Sequence, residues 1–403
     1  MNRRIAIFQW AQLLVLSAVH FTADMFGNML PSILPELRSE FVLSLSAASL
    51  PLIALTLTAN GAQLLTGHLR SEQTRPLFLH LGLALGIFIC LFAALPKSSL
   101  GVSGMIVLAT ITGFGIAVVH PEGLRGIHTL TAVPPAMSTA VFMTGGFLGF
   151  ASGGVISTAL VSRFGLPGLY PLLLCPLLGI LLVILLKIRL AVEPTTVQAS
   201  DPAPAQRNRP PFRLVLIMAM PAAVSTTFIA WLLPTRLVSE LGFNLKFGGF
   251  SATMFGLGGA LGSFLLAAIA HRKGELLCST VAFLLAGPFA LAYVLLMNDT
   301  RAIWIVFAAG FFAFAGYILL ITLARYAAGA GLGSRMSWVV GGTWLFATLL
   351  FLPLMPVAER FGTHLILRYA PLGYLLSGAL GIYLILKTRP GKREVTVQQK
   401  GNR

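Results

Sequence analysis

The sequence predicts an all-α polytopic membrane protein: twelve transmembrane helices in two pseudo-symmetric six-helix bundles. Three observations carry this. Of 403 residues, 57% are hydrophobic and only 10% are charged, where a soluble globular protein carries about 25% charged residues. Twelve apolar runs reach the ~20 residues that cross a bilayer. A polar, Pro-rich segment, Glu193 to Pro211, separates the first six runs from the last six.

The first half places spans roughly at 9–35, 45–67, 76–95, 101–122, 137–161 and 167–188. The second places them roughly at 213–236, 246–270, 275–297, 302–324, 336–356 and 366–387. The intervening composition cannot bury a core, so it reads as an extended linker. The expected units are an N-terminal bundle (1–190), a cytoplasmic linker (191–212), a C-terminal bundle (213–390) and a cytoplasmic tail (391–403). The first apolar run has no early small-residue cleavage site, so no cleavable signal is expected.

The formal net charge is +16. In a soluble chain that would suggest nucleic acid; here the hydrophobic runs exclude it. With the N-terminus inside, 20 of the 28 Lys and Arg fall on the inner side. The positive-inside rule then puts both termini and the linker in the cytoplasm, and the expected location is the inner (cell) membrane. Cys90, Cys175 and Cys278 are scattered through apolar runs without metal or redox spacing, so neither disulfides nor a metal centre is expected.

The halves echo each other. Leu186-Lys187-Ile-Arg189 closes the sixth span and Leu386-Lys387-Thr-Arg389 the twelfth. Arg163-Phe-Gly165 and Arg360-Phe-Gly362 precede them, and Gly145-Gly146 matches Gly341-Gly342. Three pairs in order at nearly one offset indicate parallel repeats about an axis along the membrane normal. In that architecture the substrate site lies between the halves and access alternates by rocking.

Of twelve acidic residues, only Asp24 and Glu122 fall inside predicted spans. Intramembrane acids default to function, with the structural alternative a buried hydrogen-bond cluster. His20, Asp24 and Asn28 are spaced i, i+4, i+8, forming a polar stripe on one face of the first helix. His120, Glu122 and Arg125 sit where the fourth apolar run ends, and Glu122 and Arg125 are three apart and able to pair. If the helix stops near Pro121, these charges belong to a loop; if it continues, they form a proton- or substrate-handling site. Thr58, Asn60 and Gln63 in the second span either bond neighbouring helices or reach the substrate. The fifth-span glycines, Gly145, Gly146, Gly149, Gly153 and Gly154, read as close-packing positions. Aromatics of the second half, among them Phe228, Trp231, Trp304, Tyr317, Trp338 and Trp344, either pack or line a cavity.

The residues therefore nominate His20, Asp24, His120 and Glu122 for proton handling. Asp24, Asn28, Gln63, Glu122, Arg125, Trp231 and Tyr317 are nominated for substrate contact. No nucleotide-binding domain, nucleophile–base pair or cofactor motif is present in the sequence, so no enzyme activity and no cofactor are expected.

These same residues carry a family resemblance. His20-Phe-Thr-Ala-Asp24 with Pro31-Ser-Ile-Leu-Pro35 resembles the first span of the fosmidomycin resistance family of the major facilitator superfamily. Leu57-Thr-Ala-Asn-Gly-Ala-Gln63-Leu-Leu-Thr-Gly67 is similar to its second span, and His120-Pro121-Glu122-(two residues)-Arg125 to its most distinctive motif. Gly145-Gly146, Gly149 and Gly153 follow its fifth span, and Gly256-Leu-Gly-Gly-Ala-Leu-Gly262 its eighth. The resemblance implies the major facilitator fold and a proton-driven antiporter that exports drugs or small organic anions. It also implies functional roles for Asp24, His120, Glu122 and Arg125. The alternative is a symporter or facilitator taking up an organic anion or metal chelate. The expected partners are a small-molecule substrate, protons and the bilayer, with the chain a monomer.

Overall fold

The computed structural model describes residues 3–66, 73–192, 210–329 and 331–388. The linker sequence 193–209 and the tail beyond 388 lie outside the described residues.

Among the described residues, twelve helices are long and apolar enough to cross a membrane. In the first half they are α1 (Arg3–Glu40), α2 (Leu45–Thr66), α3 (Leu77–Gly86, tightening to a 3₁₀ turn over Ile87–Ala94), α4 (Ser99–Ile127) and α5 (Pro135–Phe164). The sixth, α6, is Leu174–Leu185, preceded by a 3₁₀ stretch over Leu166–Leu173. The second half holds α7 (Phe212–Thr235, ending in a π-helical turn over Arg236–Glu240), α8 (Leu245–Lys273), α9 (Glu275–Leu296) and α10 (Ile303–Tyr326). In α11, Leu332–Ser337 and Thr343–Phe361 are joined by a π-helical turn over Trp338–Gly342. The last, α12, comprises Thr363–Tyr369 and Leu372–Thr388.

Only helices satisfy every backbone group within hydrocarbon without a partner strand. The many exposed large apolar residues, such as Leu181, Leu185, Phe264 and Leu295, face what must be lipid. Because lipid is as apolar as leucine, the bundle is held by close packing of small residues instead.

Packing repeats between the halves. Helix α1 packs on α5 as α7 packs on α11; α2 packs on α4 as α8 packs on α10; α3 packs on α4 as α9 packs on α10. The two six-helix bundles meet through α5 against α8 and α2 against α11, which exchange places under the same pseudo-symmetry. At the face opposite the termini, the Ser46 amide and hydroxyl both donate to the Glu359 carboxylate. The Val155 amide donates to the Thr253 hydroxyl across the α5–α8 seam.

The structure corrects several boundaries. Helix α4 does not stop at Pro121 but runs to Ile127, so Glu122 and Arg125 are helical. Glu36 and Glu40 lie on α1, Glu240 in the π-helical end of α7 and Glu359 on α11, where hydropathy alone placed them in loops. Hydropathy marks where apolar sequence ends. A helix continues past that point as long as its backbone bonds are made, and only the first and last four groups need outside partners.

Candidate functional site

The α1 stripe faces α5 along a seam of glycines. A β-carbon built at Gly145 would collide with the Ser17 carbonyl oxygen, and one at Gly149 with that of Phe21. No side chain fits there, and the bare backbones let α1 hydrogen-bond directly to main-chain carbonyls of α5. Ser17 donates to Val141, and Asn28 donates through its amide to Phe150, at 2.8 Å. His20 Nδ1 sits 2.9 Å from the Phe142 carbonyl oxygen, with its ring stacked 4.3 Å from the Phe142 ring.

Asp24 is the centre of this arrangement. Its Oδ2 lies 3.3 Å from His20 Nε2, one turn earlier on α1. Its Oδ1 lies 2.9 Å from His120 Nε2, delivered by α4. The two imidazoles meet edge to face with centroids 5.0 Å apart. The His20 side chain is sealed at 4% exposure, whereas Asp24 and His120 remain 23% and 21% exposed. The carboxylate and one imidazole thus reach open space within the bundle.

Proton bookkeeping follows from the partners. His120 Nδ1 lies 2.9 Å from the Ile116 carbonyl oxygen, as His20 Nδ1 does from that of Phe142. A carbonyl only accepts, so both Nδ1 atoms carry hydrogen, an assignment made from the hydrogen-bond network. Each Nε2 then faces a carboxylate oxygen. Either Nε2–H donates to the carboxylate, or a protonated carboxyl donates to the Nε2 lone pair. Filling both contacts takes two protons beyond the ionised carboxylate and two neutral rings. Losing one leaves a lone pair against a lone pair. The donor atoms lie within 4.8 Å of one another, a spread that would also surround a small cation.

Glu122 and Arg125 occupy a different setting at the end of α4. Both side chains are buried, and their nearest charged atoms are 3.9 Å apart. Each is engaged with backbone. Glu122 Oε2 accepts from the Leu79 amide at 2.8 Å, one of the first-turn N–H groups of α3 that lack an intrahelical partner. A carboxylate there also meets the positive end of the helix dipole. Arg125 donates through Nε to the Ala191 carbonyl at 2.9 Å and through a terminal nitrogen to that of Gln73. The pair braces the start of α3 and the chain leaving α6 against α4.

The other nominated residues are dispersed. Asn28 lies one turn beyond Asp24 but is buried and bonded to α5. Gln63 is half-buried on α2. Trp231 is buried edge-on against Phe351, with centroids 4.8 Å apart. The Tyr317 hydroxyl donates to the Val339 carbonyl and shares a bond with the Thr343 hydroxyl, beside Trp344. Trp304 and Trp338 point outward, being 68% and 48% exposed.

Two contributors escape sequence reasoning. Phe142 supplies both the ring and the carbonyl that hold His20. Gly146 forms the wall behind the triad: a β-carbon there would fall 2.5 Å from His20 Nε2 and 2.6 Å from Asp24 Oδ2. The glycine pair was visible in the sequence, but only as a packing signal.

The chain is 23% identical over 150 residues to the fosmidomycin resistance protein of Escherichia coli (strain K12), an alignment spanning 37% of this chain and 36% of that protein. Its fold is similar to the crystal structure of a bacterial homolog to the human lysosomal transporter Spinster in an inward-facing, unoccupied conformation. That match has TM-score 0.69 and 14% identity, over 94% of this chain and 98% of the other. It is also similar to a POT family transporter in complex with a thioalcohol-conjugated peptide, with TM-score 0.72 and 13% identity over 94% and 96% of the two chains. The sequence model of the Major Facilitator Superfamily matches residues 16–337, and with twelve membrane-length helices in two six-helix bundles, the protein is a multi-pass membrane protein belonging to that superfamily.

Proposed function

We propose that this transporter is a proton-coupled antiporter that exports a small organic compound, a drug or organic anion, by alternating access. The observation that carries the reading is Asp24 held between two imidazoles, with its carboxylate partly open to the bundle interior. A charge at hydrocarbon depth is retained only where it is paired or does work. This one is paired to two imidazoles, groups that can themselves carry or release a proton. Protonation exchanges one set of His–Asp hydrogens for another, and a polar group of the substrate competes for the same carboxylate. The similarity to a protein named for fosmidomycin resistance supports export.

In this reading His20, Asp24 and His120 are the coupling groups, Asn28 ties α1 to α5 beside them, and Gln63 extends the polar surface toward substrate. Glu122 and Arg125 hold the end of α4 in place, and Trp231 and Tyr317 shape the opposite wall through packing. The chain works as a monomer in the inner membrane with both termini and the linker over 191–212 in the cytoplasm.

The test is flux in proteoliposomes carrying a pH-sensitive dye. Substrate added on one side should move protons in the opposite direction. Protons moving with the substrate would reverse the assignment to symport, and substrate flux without proton movement would remove the coupling.

A further inference from the structure

The end of α6 carries a feature that transport does not explain. Its cap is a Schellman motif: Ile188 N–H bonds back to the Val183 carbonyl at 3.1 Å, and Lys187 N–H to that of Ile184 at 3.0 Å. The residue at the turn of this motif takes a left-handed conformation and is usually glycine, which has no β-carbon to clash. Here it is Lys187, at φ 49°. A lysine stands where glycine would be cheaper.

Lys187 lines a groove of about 470 Å³ together with Arg4 and Arg189. The first turns of α1 form the other side, and the Gln12 amide bolts them to α6 by donating to the Leu186 carbonyl at 2.9 Å. No acidic side chain is among the described residues lining the groove. Ile5 and Phe8 complete its rim and are 51% and 42% exposed. Both α1 and α6 are membrane-length helices that begin or end here. The groove is therefore cationic inside, apolar on its flank, and at the level where a bilayer turns from acyl chain to headgroup.

Basic residues at helix ends also orient a membrane protein. That role needs charge on the correct side and places no demand on the backbone. It leaves the left-handed lysine unexplained. A ligand held by Lys187 explains it, because the αL turn places this residue on the groove that Arg4 and Arg189 also line.

We propose that this groove is a binding site for the phosphate of an anionic phospholipid. The arginine guanidinium groups offer paired donors to phosphate oxygens and the lysine a compact charge, while Ile5 and Phe8 lie along the acyl chains. Basic pockets between helices at this depth are suited to such headgroups. The site is separate from the Asp24 triad and stands whether or not transport is proton-coupled.

The experiment measures the thermal midpoint of the full chain in nanodiscs of phosphatidylcholine and of phosphatidylcholine with phosphatidylglycerol. The wild type should melt several degrees higher with phosphatidylglycerol. Lys187→Gly should raise the midpoint in phosphatidylcholine, since the turn is relieved of its β-carbon, and should lose most of the phosphatidylglycerol increment. Those opposite signs separate ligand binding from a capping role. Arg189→Gln should lose the increment as well, which keeps the test open if Lys187→Gly does not fold. Arg272→Gln, at the end of α8, should keep it. Equal midpoints of the wild type in both lipids would overturn the proposal. So would a full increment in Lys187→Gly or Arg189→Gln, or its loss in Arg272→Gln. Inorganic phosphate in phosphatidylcholine reproducing the whole shift would overturn the assignment to lipid.

Discussion

Asp24 Oδ1 and His120 Nε2 are 2.9 Å apart although 96 residues separate them in sequence. The contact joins α1 to α4 at an acid near the middle of a membrane helix. Its consequence is that Asp24 has two imidazole neighbours rather than the single one that helical spacing on α1 supplies. Asp24→Asn removes the negative charge and one proton site while keeping the shape. Accumulation driven by an imposed pH difference should be lost, and counterflow exchange of substrate should persist. Both are measured in the same vesicles. If the variant still accumulates substrate under a pH difference alone, Asp24 is not the coupling group.

Gly146 should be intolerant of a single methyl group. Its β-carbon would intrude on both His20 and Asp24, and overpacking of this kind costs about 1–3 kcal/mol. Gly146→Ala should therefore slow transport roughly 5- to 150-fold with the protein still present in the membrane. Gly61→Ala is the matched comparison. Nothing lies within 4 Å of the added atom, and alanine gains up to about 1 kcal/mol of helix propensity. Its transport rate should equal the wild type. Equal rates for both variants would remove Gly146 from the site.

Arg125→Gln and Glu122→Gln should act first on stability. Arg125 holds the carbonyls of Ala191 and Gln73, and Glu122 holds the Leu79 amide. Breaking a buried charged partner costs roughly 3–5 kcal/mol because the remaining groups are left uncompensated. Each single variant should lower the thermal midpoint and reduce transport through loss of folded protein. The double variant should fall short of the summed loss, since removing both charges leaves neither exposed to the other's absence. Full stability with abolished flux in Arg125→Gln would move Arg125 back to the substrate.

The Ser46–Glu359 contact ties α2 to α11 at the face opposite the termini. Glu359→Gln weakens the acceptor that both Ser46 donors share. The proposed alternating access requires this seam to part, so the variant should spend more time open there. A cysteine placed at Ser46 cannot report this without removing the contact, so the reporter belongs at Ser49, which is fully buried and lies 3.5 Å from the Met355 sulfur across the same seam. Faster thiol labelling of Ser49→Cys in the Glu359→Gln background is the expected outcome. An unchanged labelling rate would show the contact to be incidental.

The membrane class, the twelve spans and the two-fold plan were legible in the sequence. Each rests on a quantity summed over many residues: the length of apolar runs, the scarcity of charge, the repetition of short patterns at nearly one offset. Such sums survive errors at single positions. Asp24 was legible too, because an acid in the middle of an apolar run has few bland explanations, and His20 came with it through the i, i+4 spacing of one helix. The partnership with His120 was not. Nothing within either segment states how far α4 slides along α1, and a shift of one turn would have put Ile116 or Leu124 in its place. The glycine seam of α1 on α5 and the packing of α4 decide that register. The same limit applies to Glu122 and Arg125. Their spacing said they could pair; only the fold brings the α3 amide and the Ala191 and Gln73 carbonyls close enough to claim them. Local pattern determined which residues must find partners, and tertiary packing decided which partners they found, because helix register in a membrane is set by backbone approach between helices and not by hydrophobicity along any one of them.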